Sequence, residues 1–348
     1  MPNKRRSFCV YCKAVEVNDA TFRYLEVIRG GLQDAGLRDL GLTQDKRILR
    51  QADLVVTISC LPAMRALALH PRAIIVHWFQ GLEAVERRFL HKGFRGWWRW
   101  VLWTLMERVL LRRARLKLFV SQQMRNFFGD IERSGQFSLI IPCYNVDLGD
   151  IAASDPNRYR RIHMVYAGSM YPWQCVRESL QAYKVVRQRR PDASMTIFTR
   201  EVDYARQMCQ DMGLESVRVE TVSPAQLLER LKEFSFGFIL RDVMVINEVS
   251  TPTKFSSYIG AGVIPIMTKA TPALASMASM TPFQITVQTP AEANLIAQDV
   301  LKISDSSPVP EMIANSYQKI FQTYFDDSLN RKKISKIISN INFINHTK

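Results

Sequence analysis

The sequence predicts an α/β chain of two successive doubly wound domains, each built on a parallel sheet. Three observations predict it. Short, continuous apolar runs alternate with segments of helical period along almost the whole chain, as strands buried on both faces and their crossover helices do. The length, 348 residues, suits two domains of roughly 150 residues each. The alternation breaks once, between Pro142 and Tyr159, in a polar, aperiodic stretch holding three Asp and two Pro, the composition of a linker.

In the first domain (1–145), Phe8 to Tyr11 reads as a strand and Thr21 to Leu32 as a helix stopped near Gly36. Asp53 to Ile58, Ala73 to Phe79, Leu116 to Val120 and Phe137 to Ile141 are β-branched or aromatic apolar runs, hence strands, and the segments between them supply the crossovers. In the second domain (146–310), strands are expected at Ile162 to Tyr166, Met195 to Phe198, Val217 to Glu220, Phe236 to Leu240, Val263 to Ile266 and Phe283 to Val287. Helices are expected at Trp173 to Arg187, Asp203 to Met212, Pro224 to Phe234, Thr253 to Ala261, Pro272 to Met277 and Glu292 to Lys302. The tail, 311–348, is helical and expected to pack back on the first domain. Open parallel sheets bind ligands outside the carboxyl ends of their strands, and paired domains bind them in the intervening cleft. The loops that follow strands are therefore where a site is expected.

The hydrophobic fraction of 47% excludes wholesale disorder. The net charge of +15 is unevenly spread: ten Lys and Arg against one acid, Glu107, lie between Arg87 and Lys117, and five basic residues with no acid lie between Arg331 and Lys348. The remainder of the chain sums to +1. Two local segments therefore call for an anionic surface or ligand. The six cysteines are scattered; Cys9 and Cys12 form one CxxC with no second pair to complete a zinc site, which reads as two thiols of a first strand in a reduced, cytosolic protein. The start, Met-Pro-Asn-Lys-Arg-Arg, leads into no signal-peptide core, and no run approaches the ~18 apolar residues of a membrane span.

Three segments could carry chemistry. Gly168 and Ser169 end the first strand of the second domain, and a glycine there lets backbone approach a ligand, with the helix expected from Trp173 offering N–H groups to an anion. Arg241 ends another strand. In Ser250-Thr-Pro-Thr-Lys254, Thr251 suits an N-cap and Pro252 the first helical position. Lys254 then falls in a first turn, where a cation opposes the helix dipole. Either it points to solvent, or an anion such as a diphosphate sits between it and Arg241. No pair of acids suited to a metal-bound diphosphate stands at a strand end. Arg241 and Lys254 could neutralise a nucleoside-diphosphate leaving group themselves, so no metal and no cofactor is expected.

At these residues the chain resembles a known family. Val165-Tyr-Ala-Gly-Ser169 with Trp173-Gln174, Leu240-Arg-Asp242, and Thr251-Pro-Thr-Lys-Phe255 with Gly262-Val-Ile-Pro-Ile266 resemble the donor half of family 4 glycosyltransferases of GT-B fold. His77-Trp-Phe-Gln-Gly81, Phe119-Val-Ser-Gln-Gln-Met124 and Ile141-Pro-Cys-Tyr-Asn145 resemble the acceptor half of the bacterial branch that builds capsular and O-antigen polysaccharides, and Phe321 to Phe325 resembles the crossing helix. The resemblance spans about residues 75 to 325. It implies transfer of a sugar, with retention, from a UDP- or GDP-linked donor to a lipid-linked saccharide at the inner face of a bacterial plasma membrane. By the same resemblance Arg241 and Lys254 would bind phosphates, Gly168 and Ser169 would lie beside the diphosphate and the transferred sugar, and Ser256 and Ser257 would approach the ribose or the sugar. Trp173, Gln174 and Thr253 complete that substrate-binding set.

The chain departs from the family at two places. The second acid of the family's Glu-x7-Glu motif falls at Ser257, which cannot supply a carboxylate, and the first falls at Val249, beside Glu248, a candidate replacement. Gln80-Gly-Leu-Glu-Ala-Val-Glu86 keeps only Glu86 of an acidic ending common in the branch. His77, Gln80, Gly81 and Glu86 follow a strand and could touch the acceptor; a His at a strand end is also commonly a hydrogen-bonded structural residue.

The segment around Trp97, Trp98, Trp100 and Trp103, with Arg95 and Arg99, is dense in indole and guanidinium. It reads as an element docking on an anionic membrane surface, or as a core helix with inward Trp and solvated Arg. Two rival functions remain: a nucleic-acid-binding protein using this patch, though no nucleic-acid-binding signature is present, and a transferase-like protein that binds without turnover.

Overall fold

The computed structural model describes residues 5–341 except 14–16, 18, 92, 130–132, 134, 152 and 153. Of the basic tail 331–348, residues 342–348 thus lie outside the described residues. The chain divides into two compact units, one of residues 1–142 with 326–348, the other of residues 143–325.

The first unit runs β1 (Ser7–Tyr11), α1 (Asp19–Asp34), β2 (Arg38–Thr43), α2 (Lys46–Gln51), β3 (Leu54–Thr57), α3 (Cys60–Leu69), β4 (Ile74–Phe79), α4 (Glu83–Leu90), α5 (Gly93–Arg113), β5 (Leu116–Phe119), α6 (Gln122–Phe127) and β6 (Phe137–Ile140). Its six strands form a parallel sheet ordered β2-β1-β3-β4-β5-β6. The apolar runs make its centre: every residue of β1, β3 and β5 is buried. The sequence reading missed β2, which lies at the sheet edge and is mostly exposed or half-buried, so it had no apolar run to show.

The second unit runs β7 (His163–Ala167), α7 (Val176–Arg189), β8 (Ser194–Phe198), α8 (Val202–Asp211), β9 (Arg218–Glu220), α9 (Pro224–Leu231), β10 (Phe236–Ile239), α10 (Val245–Val249), α11 (Lys254–Gly260), β11 (Ile264–Thr268), α12 (Pro272–Ala278), β12 (Ile285–Val287), α13 (Ala293–Ser306) and α14 (Pro310–Tyr324). Its parallel sheet is ordered β12-β11-β10-β7-β8-β9. In both sheets the order reverses direction about the first strand, the doubly wound pattern.

The tail expected to pack as one piece is divided. Helix α14 belongs to the second unit, and α15 (Asp327–Ser339) belongs to the first. Helix α15 packs on α1 through Gly31, where a Cβ would stand 2.8 Å from Ile334 Cβ, with ion pairs Arg23–Asp327 (3.0 Å) and Arg331–Asp34 (2.7 Å) across the contact. The polar stretch read as a linker has little regular structure, but from Cys143 onward it is built into the second unit. Tyr144 and Tyr159 are fully buried, and the Tyr159 hydroxyl donates to the Gly262 carbonyl at 2.7 Å.

Candidate functional site

In the second unit the carboxyl ends of β7, β10 and the start of α11 come together. The Ala167 N–H donates to the Tyr258 hydroxyl (3.0 Å) and the Gly168 N–H to the Phe198 carbonyl (2.9 Å), fixing the end of β7. Gly168 then turns at φ +149°, where L side chains are strained. A Cβ there would stand 2.5 Å from Lys254 Cε and 2.7 Å from Nζ. The glycine is thus the space that Lys254 occupies.

Lys254 donates to the Tyr166 hydroxyl (2.9 Å) and to Gln174 Oε1 (2.5 Å), with its ammonium 4.2 Å from the Tyr166 ring centre. The Tyr166 hydroxyl donates in turn to the Ser169 carbonyl. Arg241 is 5% exposed. Its backbone is pinned by Thr268, whose hydroxyl accepts from the Arg241 N–H (3.1 Å) and donates to its carbonyl (2.7 Å). Its guanidinium donates one Nη1 bond to the Trp173 carbonyl (3.2 Å), and its Nε has no partner among the described residues. Burial lowers the pKa of both cations, and Arg241 lowers that of Lys254 further. Among the described residues neither cation has an ion-pair partner.

Two local expectations are corrected here. The helix expected from Trp173 begins at Val176; Pro172–Gln174 form a 3₁₀ turn, and Cys175 breaks the two apart at φ +49°. It is therefore the Trp173 carbonyl, not a helical N–H, that meets the site. Helix α11 starts at Lys254 with Thr253 preceding it in helical geometry, so Thr251 is not its cap. The Thr251 hydroxyl instead accepts from the Cys143 N–H at 2.8 Å, because the segment 143–145 lies against this helix start.

That segment also meets the two serines. Ser256 and Ser257 donate to Asn145 Oδ1 at 3.1 and 2.9 Å, with the Thr253 carbonyl as alternative acceptor for each. Both are buried. Thr253 is half-buried, as is Glu248, which sits on the short helix α10. Asn145 and Tyr166 stood inside quoted motifs but were not singled out, since nothing in their spacing reports these bonds.

The first unit holds a second polar cluster. Register pairs Thr57 with His77 across β3 and β4. The Thr57 hydroxyl and His77 Nδ1 lie 2.8 Å apart, and complete burial pulls the His77 pKa down to about 3, leaving a neutral ring. A cavity of about 30 Å³, room for a water, is lined by His77, Gln80, Gly81, Glu83 and Glu107. Glu83 accepts from the Cys60 N–H (2.8 Å) and from the Trp103 indole (3.0 Å), and Glu107 accepts from the Ala84 N–H (3.1 Å). A Cβ on Gly81 would collide with the Glu86 carboxylate. Burial raises the pKa of Glu83, Glu86 and Glu107, the last to about 7. Gln80 accepts from Thr21 at 3.4 Å. Sequence reasoning missed Glu83 and Glu107, although Glu107 is the single acid of its basic segment and that isolation was a signal.

Helix α5 carries the Trp- and Arg-rich segment, and its faces are unequal. Gly96, Trp103, Met106, Glu107 and Leu110 are buried. The opposite face exposes Phe94, Trp97, Trp98, Leu102, Leu105 and Val109, and Trp100 is also exposed. Arg95, Arg99, Arg108, Arg112 and Arg113 are exposed beside them. Trp103 is the exception to the expected surface set: at 8% exposure it is held inward by Glu83 and covered by the Arg87 guanidinium, 4.0 Å from its ring centre. No described helix is long and apolar enough to cross a membrane.

No family model and no curated protein sequence matches the chain. Solved structures do. WaaG, a glycosyltransferase involved in lipopolysaccharide biosynthesis, matches with TM-score 0.64 at 12% identity, over 95% of this chain and 99% of that one. An α,α-trehalose 6-phosphate synthase from Burkholderia multivorans matches with TM-score 0.59 at 12% identity, over 92% and 77%. The pneumococcal O-GlcNAc transferase GtfA, in complex with UDP and GlcNAc, matches with TM-score 0.60 at 10% identity; 85% of this chain is covered, but it spans only 59% of GtfA. Likeness at such identities speaks for architecture. With its two six-stranded parallel sheets, this chain has the two-domain GT-B fold of these glycosyltransferases.

Proposed function

We propose that the chain is a glycosyltransferase that moves a sugar from a nucleoside-diphosphate sugar to a saccharide acceptor. The observation that carries this reading is the pair Arg241 and Lys254: two cations brought together at a strand end and a helix start, with no carboxylate among the described residues in an ion pair with either. Arg241 is buried and Lys254 half-buried; charges withdrawn from water in this way are ordinarily paired, so the cradle is short of negative charge. A diphosphate supplies it. As the bond between the sugar's anomeric carbon and the phosphate oxygen breaks, negative charge grows on the departing diphosphate, and preorganised cations stabilise it where it develops. Their two positive charges stand where a metal ion would otherwise act, which supports a metal-independent reaction. Glycosyltransferase neighbours, one crystallised with UDP and one acting in lipopolysaccharide biosynthesis, support the same reading.

The finer assignment follows the family resemblance: retention at the anomeric carbon, UDP or GDP as carrier, and a lipid-linked acceptor in bacterial capsule, O-antigen or related cell-surface polysaccharide synthesis. The second unit would take the donor, at Gly168, Ser169, Gln174, Arg241 and Lys254. The first would take the acceptor beside Gln80, Gly81 and the carboxyls of Glu83 and Glu107. The apolar outer face of α5, flanked by arginines, would seat the protein on the anionic inner face of the plasma membrane. That face is apolar at its centre rather than basic, which favours lipid over nucleic acid.

A screen of UDP- and GDP-linked sugars, read by binding and by acceptor-dependent release of nucleoside diphosphate, tests the reaction. The reading expects one donor to bind and to be consumed only with acceptor present. Failure of every donor to bind would contradict it.

A further inference from the structure

The loop after β7 carries a pair of aromatic rings that the cation cradle does not use. Tyr171 and Trp173 stack with ring centres 4.6 Å apart and planes 13° from parallel. Tyr171 is 48% exposed. About half of the Tyr171 side chain is thus open to water while the ring stays stacked on Trp173. The pair is also held stiffly. Pro172 sits between the two residues in a 3₁₀ turn, and the Trp173 carbonyl is bound by the Arg241 guanidinium at 3.2 Å. Ser169 and Gln174, on the same loop, bring a hydroxyl and an amide 3.5 Å apart beside it.

We propose that Tyr171, backed by Trp173, is a stacking platform for the face of a pyranose ring bound next to the diphosphate, and so a specificity-determining residue; this rests on the glycosyltransferase reading above. A pyranose has one face of C–H groups and a rim of hydroxyls. The stacked rings offer a flat apolar surface to the first, and Ser169 and Gln174 offer hydrogen bonds to the second. Placement favours a sugar over the nucleobase. Arg241 both faces the phosphate cradle and holds the backbone of Trp173, and the ring joined directly to phosphate is the transferred sugar, whereas the base stands one ribose further away. The ring could belong to the donor or to the acceptor sugar that meets it; the chemistry is the same.

The test compares wild type with Tyr171→Ala, Tyr171→Phe and Tyr171→Trp. Since Tyr171 is exposed, its loss is expected to leave the melting temperature in place. The titrants are the nucleoside diphosphate alone and the matching nucleotide sugar. A donor ring on the platform predicts unchanged nucleoside-diphosphate affinity in Tyr171→Ala, nucleotide-sugar affinity lower by about fivefold to tenfold, and recovery in both aromatic variants. An acceptor ring predicts unchanged binding of both titrants with the acceptor KM raised by a similar factor and kcat kept, again recovered by Phe or Trp. Equal loss for nucleoside diphosphate and nucleotide sugar would place the base or the loop's integrity there instead, and would overturn the proposal. So would no change in any of the three quantities. Should wild type itself bind no nucleotide, the glycosyltransferase reading fails first and takes this inference with it.

Discussion

The Lys254 ammonium lies 2.9 Å from the Tyr166 hydroxyl and over the face of the same ring. This contact accounts for a cation at the first residue of α11, where the helix dipole opposes it. The ring face and two oxygen acceptors hold the lysine beside β7, but none of them carries a full negative charge. Arg241 is close enough to depress its pKa further, so an anion placed between the two is expected to bind.

Removing one cation should separate stability from binding. A buried guanidinium has a desolvation cost that no ion pair offsets here, and its single bond to the Trp173 carbonyl contributes only about 1 kcal/mol, so an apolar chain of similar length is expected to cost little stability. Arg241→Met is therefore expected to leave the melting temperature nearly unchanged while nucleotide affinity falls more than tenfold. A large loss of stability with binding intact would mean that Arg241 is a structural residue.

Gly168→Ala should act on Lys254. The new methyl meets Lys254 Cε and Nζ at 2.5 and 2.7 Å and the backbone stands at φ +149°, so the lysine has to move or the loop has to turn. We expect a stability loss of about 1–3 kcal/mol in thermal unfolding, together with weakened nucleotide binding. Normal binding at normal stability would show that Gly168 is not what makes room for the lysine.

Glu107 gives the protein a pH signature. Its folded pKa, raised by burial to about 7, exceeds the unfolded value, so between roughly pH 4.5 and 7 the folded state holds the extra proton. The Glu107 contribution to stability therefore falls as pH rises through that window, opposite in sign to that of the buried neutral His77. Relative to wild type, Glu107→Gln should gain stability progressively from pH 5 to pH 8, by up to about 3 kcal/mol, while its side chain still accepts from Ala84. A difference between the two proteins that does not vary with pH would contradict the raised pKa.

The two faces of α5 should respond differently to substitution. Trp97→Ser with Trp98→Ser is expected to leave unfolding unchanged and to abolish co-sedimentation with anionic vesicles. Trp103→Ala, on the buried face, should destabilise by about 3–5 kcal/mol. Vesicle binding that survives loss of the exposed tryptophans would remove the case for docking.

How much of this was legible in the sequence follows from what period and composition can report. Strands buried on both faces announce themselves as apolar runs, so β1, β3, β4 and β5 were found nearly where they are; β6, half-buried at one sheet edge, was found because its sequence is still apolar, while the more exposed edge strand β2 was not. Lys254 and Arg241 could be picked out because their positions, a helix start and a strand end, are defined locally. What they touch could not: Tyr166 is 88 residues from Lys254, and Asn145 is 112 from Ser257. The direction of Trp103 was hidden for a similar reason. Four tryptophans in seven residues cover most of a helix circumference, and only the partner Glu83, on another helix, turns one of them inward. Local rules also misplaced caps: Thr251 and Pro252 have the right chemistry for a helix start, but a bond to Cys143 holds the threonine elsewhere.

The most direct measurement of the central claim is calorimetric titration of UDP and GDP into wild type and Lys254→Ala. The account predicts that wild type binds one of the two, and that the variant binds it at least tenfold more weakly, a loss of about 1.4 kcal/mol. Equal affinity in both proteins, or no binding of either nucleotide to wild type, would contradict a diphosphate site between Lys254 and Arg241.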